Sequence, residues 1–125
     1  MGKITVVGIG PGNLDEMTPK ARRAIEEADT IAGYNTYIKL IEPLLEGKKV
    51  IGTGMMQEID RCRAAAEEAK DKNVAVVSSG DAGVYGMAGL VLEITQAMPK
   101  DTRPSVEVAA GVSALSAAAV QASAW

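Results

Sequence analysis

The chain contains no histidine in its 125 residues. That removes the commonest general base and the commonest transition-metal ligand together, and it excludes histidine-dependent catalytic triads within the chain. A lone cysteine, Cys62, leaves no internal disulfide to form, which fits a reducing compartment. A metal site would have to rest on carboxylates, a donor set suited to magnesium or calcium rather than zinc, and calcium-loop spacing is absent; no metal is expected. An excess of one charge is missing too. Thirteen Lys and Arg face sixteen Asp and Glu, a net charge of -3, with no basic block that would point to nucleic acid. No signal peptide precedes the first apolar run, Ile4-Thr5-Val6-Val7, so the expectation is a cytoplasmic protein. Chemistry in such a chain should depend on positioning a reactive small molecule rather than on an elaborate acid-base apparatus.

Charge is also lacking from Ala109 to Trp125, where Ala, Ser and Val fall on every side of a presumed helix. A helix apolar all round wants cover all round. It is short and weak for a membrane span, and no membrane partner is expected. A missing second domain or a partner subunit would cover it, and residues 1–125 read as the N-terminal part of a longer protein.

What is present alternates between strand and helix patterns. Ile4 to Gly8 is an apolar run. Thr18 and Pro19 then open a helix through Ala28, with Thr18 as the cap and Pro19 at the first helical position. Thr30 to Ala32 predicts a second strand, Tyr37 to Leu45 a helix interrupted near Pro43, and Lys49 to Gly52 a third strand. Gln57 to Lys70 reads as an amphipathic helix that buries Ile59, Cys62, Ala66 and Ala69 and turns its charged face outward. Cys62 is therefore expected to be a packing residue. Val74 to Ser78, Val84 to Met98, Val106 to Val108 and Ser113 onward complete the series as strand, helix, strand and helix. Five strands separated by helices imply an α/β fold, a parallel sheet covered on both faces.

Parallel sheets bind ligands at the carboxyl ends of their strands. Strands one, four and five all end there in glycine-rich loops: Gly8-Ile9-Gly10-Pro11-Gly12, Gly80-Asp81-Ala82-Gly83-Val84-Tyr85-Gly86 and Ala110-Gly111-Val112-Ser113-Ala114. In the middle loop, Gly80, Gly83 and Gly86 are expected to let the backbone bend or approach a ligand before the helix begins. The first loop departs from the dinucleotide fingerprint, since its third glycine would fall at Asn13 and the helix waits until Thr18. Lys20, Arg22 and Arg23 read as a solvated helix face.

These loops, with Gly33-Tyr34-Asn35-Thr36-Tyr37 and the run Ser78-Ser79-Gly80-Asp81-Ala82-Gly83-Val84-Tyr85-Gly86-Met87-Ala88-Gly89, resemble the N-terminal domain of the tetrapyrrole methylases. Within that family they are most similar to the C17-methyltransferase branch of cobalamin synthesis, acting on precorrin-3B or cobalt-factor III. The resemblance implies a five-stranded sheet of order 3-2-4-1-5, with S-adenosylmethionine (SAM) as methyl donor in the cleft toward a C-terminal domain absent from this chain. It further implies that Pro11, Gly80, Asp81, Ala82, Val84, Tyr85, Ser113 and Ala114 bind SAM, and that Gly10, Gly12 and Tyr34 lie in loops on the substrate side. Asp81, Tyr34 and Tyr37 are acid or base candidates by location alone, and the catalytic residue is not identified. Two prolines usual in the family are missing: Ala82 stands in Gly-Asp-Pro, and Ala110 in Pro-Gly-Val. Their loss should loosen loops without deleting a ligand group. A homodimer is expected, and the 125-residue piece alone should be inactive. The alternatives are a uroporphyrinogen C-methyltransferase, a diphthine synthase, or a noncatalytic nucleotide-binding or dimerisation domain.

Overall fold

A computed structural model describes residues 2–9, 17–78 and 80–109, with the backbone alone for 80–83. Five strands form one sheet: β1 (Lys3–Gly8), β2 (Thr30–Tyr34), β3 (Lys49–Thr53), β4 (Asn73–Ser78) and β5 (Ser105–Ala109). Their order is β3-β2-β4-β1-β5, and every pairing is parallel. Between them run α1 (Pro19–Glu27), α2 (Asn35–Leu40), α3 (Glu58–Glu68) and α4 (Gly80–Gln96).

The central strand β4 shows why the sheet is covered on both sides. Val74 and Val76 enter one core with Ile4, Val6, Cys62, Ala65 and Val91, beneath α3 and α4. Ala75 and Val77 enter the other with Val7, Ile25, Ile31 and Ile41, beneath α1 and α2. Alternate residues of a strand point to opposite faces, so a strand buried twice must be apolar without a break.

Local chemistry sets several of the boundaries. The Thr18 side chain accepts a hydrogen bond from the Ala21 amide at 3.1 Å, and Pro19 takes the first helical turn, where a missing N–H costs nothing. At the other end of α1, Lys48 Nζ donates to the carbonyls of Glu26 and Ala28 at 2.8 and 2.7 Å, placing a cation on the negative end of the helix.

Three expectations need correction. The segment expected as one interrupted helix from Tyr37 to Leu45 is α2, beginning already at Asn35, followed by a tight turn at Glu42–Leu44 that holds Pro43. In the core-facing stripe of α3, Ile59 is 52% exposed whereas Arg61 is 4% exposed; in the first turn of the helix the inward position falls to Arg61, which is buried with Cys62, Ala65 and Ala66. Lastly, α4 begins at Gly80, not Val84, and Gly80, Gly83 and Gly86 are helical. Each glycine costs about 1 kcal/mol in a helix interior relative to alanine. The burial of Val84, Ala88 and Val91 beneath that helix offsets it. The helix expected from Ser113 lies outside the described residues.

Candidate functional site

The strand ends that should carry a ligand are brought level by the sheet register. Gly8 lies opposite Ser78 and Val7 opposite Ala109, and the Ile9 amide donates to the Ser78 carbonyl at 3.0 Å. Helix α4 starts two residues after Ser78, so its unpaired N–H groups open at the same edge. The sequence Gly80-Asp81-Ala82-Gly83 gives that first turn small residues and one carboxylate.

Beside these ends is a cavity of about 390 Å³ over the carboxyl ends of β2, β3 and β4. Tyr34 and Tyr37 form one wall, their rings edge to face with centroids 5.4 Å apart. Met55 and Met56 stand at the mouth, and Gly86, Met87 and Leu90 of α4 form the opposite wall. A Cβ added at Gly86 would meet nothing within 4 Å; the missing side chain leaves space rather than relieving a clash. The Gly54 amide donates to Gln57 Oε1 at 2.8 Å, closing the turn between β3 and α3. Met56 in this turn has φ of 66°, a left-handed conformation rare for a side chain of this kind.

Arg61 supplies the positive charge. Its Nε donates to Thr53 Oγ1 at 2.8 Å, and the Thr53 hydroxyl lies 3.5 Å from the Gly33 carbonyl that accepts its proton. The guanidinium is fixed in the cavity wall by a hydroxyl anchored to the adjacent strand. Next to it in the chain, Cys62 is wholly buried with its Sγ 3.1 Å from Met87 Sδ. Burial pushes its thiol up from 9.0 to about 11, with Arg61 lowering it and Glu58 raising it to lesser extents. A thiol so placed is a packing group, since the thiolate is the nucleophile.

Of the residues that the resemblance assigns to ligands, Tyr34 lies in the cavity wall. Gly80, Asp81 and Ala82 occupy the first turn of α4. Val84 buries its side chain in the core, whereas Tyr85 is 58% exposed. Gly10, Pro11, Gly12, Ser113 and Ala114 lie outside the described residues. Lys20, Arg22 and Arg23 are exposed on α1, as the solvated reading expects. Sequence reasoning missed Met55, Met56, Arg61, Met87 and Leu90. One signal was available: β3 also runs out into glycine, at Gly54, as strands one, four and five do.

The profile of the Tetrapyrrole (Corrin/Porphyrin) Methylases matches residues 3–124. The chain belongs to that family. This tetrapyrrole methylase domain is 49% identical over 121 residues to the cobalt-factor III methyltransferase of Priestia megaterium, covering 94% of this chain and 22% of that protein. It is 47% identical over 117 residues to the probable cobalt-factor III C(17)-methyltransferase of Salmonella typhimurium, covering 93% of this chain and 48% of the other. Among solved structures, the methyltransferase CobJ superposes with a TM-score of 0.77 at 39% identity, over 98% of this chain and 51% of that one. The domain thus spans about half or less of the proteins it matches. Among the described residues no helix is long and apolar enough to cross a membrane, and no group of three His, Cys, Asp or Glu side chains could hold a metal ion.

Proposed function

We propose that this domain is the N-terminal half of a SAM-dependent C-methyltransferase of corrin synthesis, one that methylates C17 of cobalt-factor III or precorrin-3B with contraction of the ring. The observation that carries the reading is 49% and 47% identity, across nearly the whole chain, to proteins named as cobalt-factor III methyltransferases. The cavity supports it. Its two tyrosines, its methionines and the buried Arg61 suit a broad, largely apolar ring that carries acidic groups. Positioning within about 3 to 3.5 Å of the reacting carbon is what such a site must achieve.

The level ends of β1 and β4 and the small-residue start of α4 fit SAM, because a backbone without large side chains can approach a nucleotide closely. When bound, SAM supplies a methyl group already activated on a positively charged sulfur. In this reading Gly80, Asp81, Ala82 and Tyr85 bind it, together with Pro11, Ser113 and Ala114. Val84 would take part through its backbone, since its side chain belongs to the core. Tyr34, Gly10 and Gly12 face the tetrapyrrole, and a C-terminal domain completes the cleft. The reading extends to a cytoplasmic homodimer, supported by the absence of charge from Ala109 to Trp125.

The test is transfer of a labelled methyl group by the intact protein from SAM to cobalt-factor III, precorrin-3B or uroporphyrinogen III. Label in either of the first two is expected. Label in uroporphyrinogen III alone would move the protein to another branch, and failure of SAM to raise the unfolding temperature would make it a noncatalytic module.

A further inference from the structure

Arg61 is a buried charge without a counter-ion among the described residues. It is 4% exposed, and among the described residues no carboxylate oxygen lies within 4 Å of it. Its Nε is occupied by Thr53, but its two terminal amino groups make no hydrogen bond to any described residue. Neither is sealed off, because Arg103 Nε is the only described buried side-chain nitrogen or oxygen that is both enclosed and unpartnered. The free edge of the guanidinium therefore opens into the cavity it lines. A guanidinium cannot shed its proton to escape burial. Retaining one here is costly unless an anion completes it.

The surroundings specify the anion. Two parallel N–H groups match a carboxylate in bidentate geometry. One cation among aromatic and thioether side chains balances a single negative charge, whereas a phosphate would need further donors. Glu58 of the same helix lines the cavity but stands more than 4 Å from Arg61, so no described carboxylate neutralises the guanidinium.

We infer that Arg61 and the cavity beside it form a subsite for one carboxylate on a short alkyl arm of the tetrapyrrole, with Thr53 as the positioning residue that orients the guanidinium; the inference rests on the tetrapyrrole reading above. The ring lies against Tyr34, Met55 and Met87 while the carboxylate engages Arg61. Binding in this register fixes which edge of the macrocycle faces the ends of β1 and β4.

Fluorescence titration of the intact protein with a free-acid porphyrin and with its methyl ester tests this directly. The wild type binds the free acid more tightly; Arg61→Gln loses roughly 10- to 100-fold of that affinity, as for removal of a charged hydrogen-bond pair, and no longer tells acid from ester. In methyl transfer to cobalt-factor III the loss falls on KM far more than on kcat, and Thr53→Val shows the same split at smaller size. A merely structural role would lower the unfolding temperature and SAM affinity together. Equal affinity of wild type and Arg61→Gln for the free acid, at equal unfolding temperature, overturns the subsite. Should Arg61→Gln fail to fold, Arg61→Lys keeps the charge and removes the fork; an intermediate loss supports the subsite, and none overturns it. A protein that binds the free acid through Arg61 but transfers no methyl group supports the subsite while sinking the proposed reaction.

Discussion

Cys62 Sγ and Met87 Sδ lie 3.1 Å apart, joining α3 to α4 directly behind the cavity wall. The contact packs Met87 against the core side, and burial keeps the thiol protonated there.

Alkylation should report that burial. With its pKa pushed up to about 11, native Cys62 should react with iodoacetamide at pH 8 about 100-fold more slowly than in the unfolded chain, because well below the pKa the thiolate fraction falls tenfold each time the pKa rises by one. The sign for stability follows. The raised value stabilises the fold below the ordinary 9.0, and this contribution is lost as the pH rises from there through about 11. A Cys62→Ala variant, which cannot ionise, should lose less stability than wild type across that interval in urea titrations.

Glu68 gives the opposite dependence. The hydrogen bond from Lys49 is the main reason its carboxyl lies below the ordinary 4.5; burial opposes this, and the charges of Lys49 and Lys72 add to it. Thr30 also donates to it, at 3.4 Å. Its contribution is therefore present above the ordinary value and lost as the pH falls through the lowered one. Glu68→Gln should be less stable than wild type at pH 7, and the gap in unfolding temperature should close in acid. A constant gap would show that the cluster acts through shape alone.

Gly33 has no room for a side chain. A Cβ there would fall 2.3 Å from Val77 Cγ2, across the paired strands β2 and β4. Gly33→Ala should cost about 1–3 kcal/mol, the usual range for overpacking a core. Combining it with Val77→Ala should recover part of that cost, a coupling that a double-mutant cycle in urea would read.

Met56 should trade stability for binding. Its left-handed backbone disfavours any residue with a Cβ, and at 87% exposure its side chain gains little from packing. Met56→Gly should stabilise the domain by about 0.5–1 kcal/mol while weakening porphyrin affinity at the cavity mouth. Reduced stability in thermal unfolding would mean that the side chain packs in solution.

Much of this architecture is legible locally. The unbroken run Val74 to Val77 announces a strand buried on both faces, and Thr18-Pro19 announces a capped helix, because neighbours within a few residues determine both. The strand order follows from resemblance of motifs rather than from periodicity, and the observed order β3-β2-β4-β1-β5 agrees with it. Tyr34 belongs to the same motifs and does line the cavity.

The sequence by itself determined the type of nearly every element, because hydrophobic period, caps and turns act over one or two turns of chain. Only the tertiary structure decided which side chain of the first turn of α3 faces inward. That choice exposes Ile59, buries Arg61 and aims its charge into the cavity. It also decided that Gly80 begins a helix, since packing under Val84, Ala88 and Val91 outweighs the glycines' preference for a turn. These outcomes depend on residues distant in the chain, and no local pattern of apolar and charged side chains contains them.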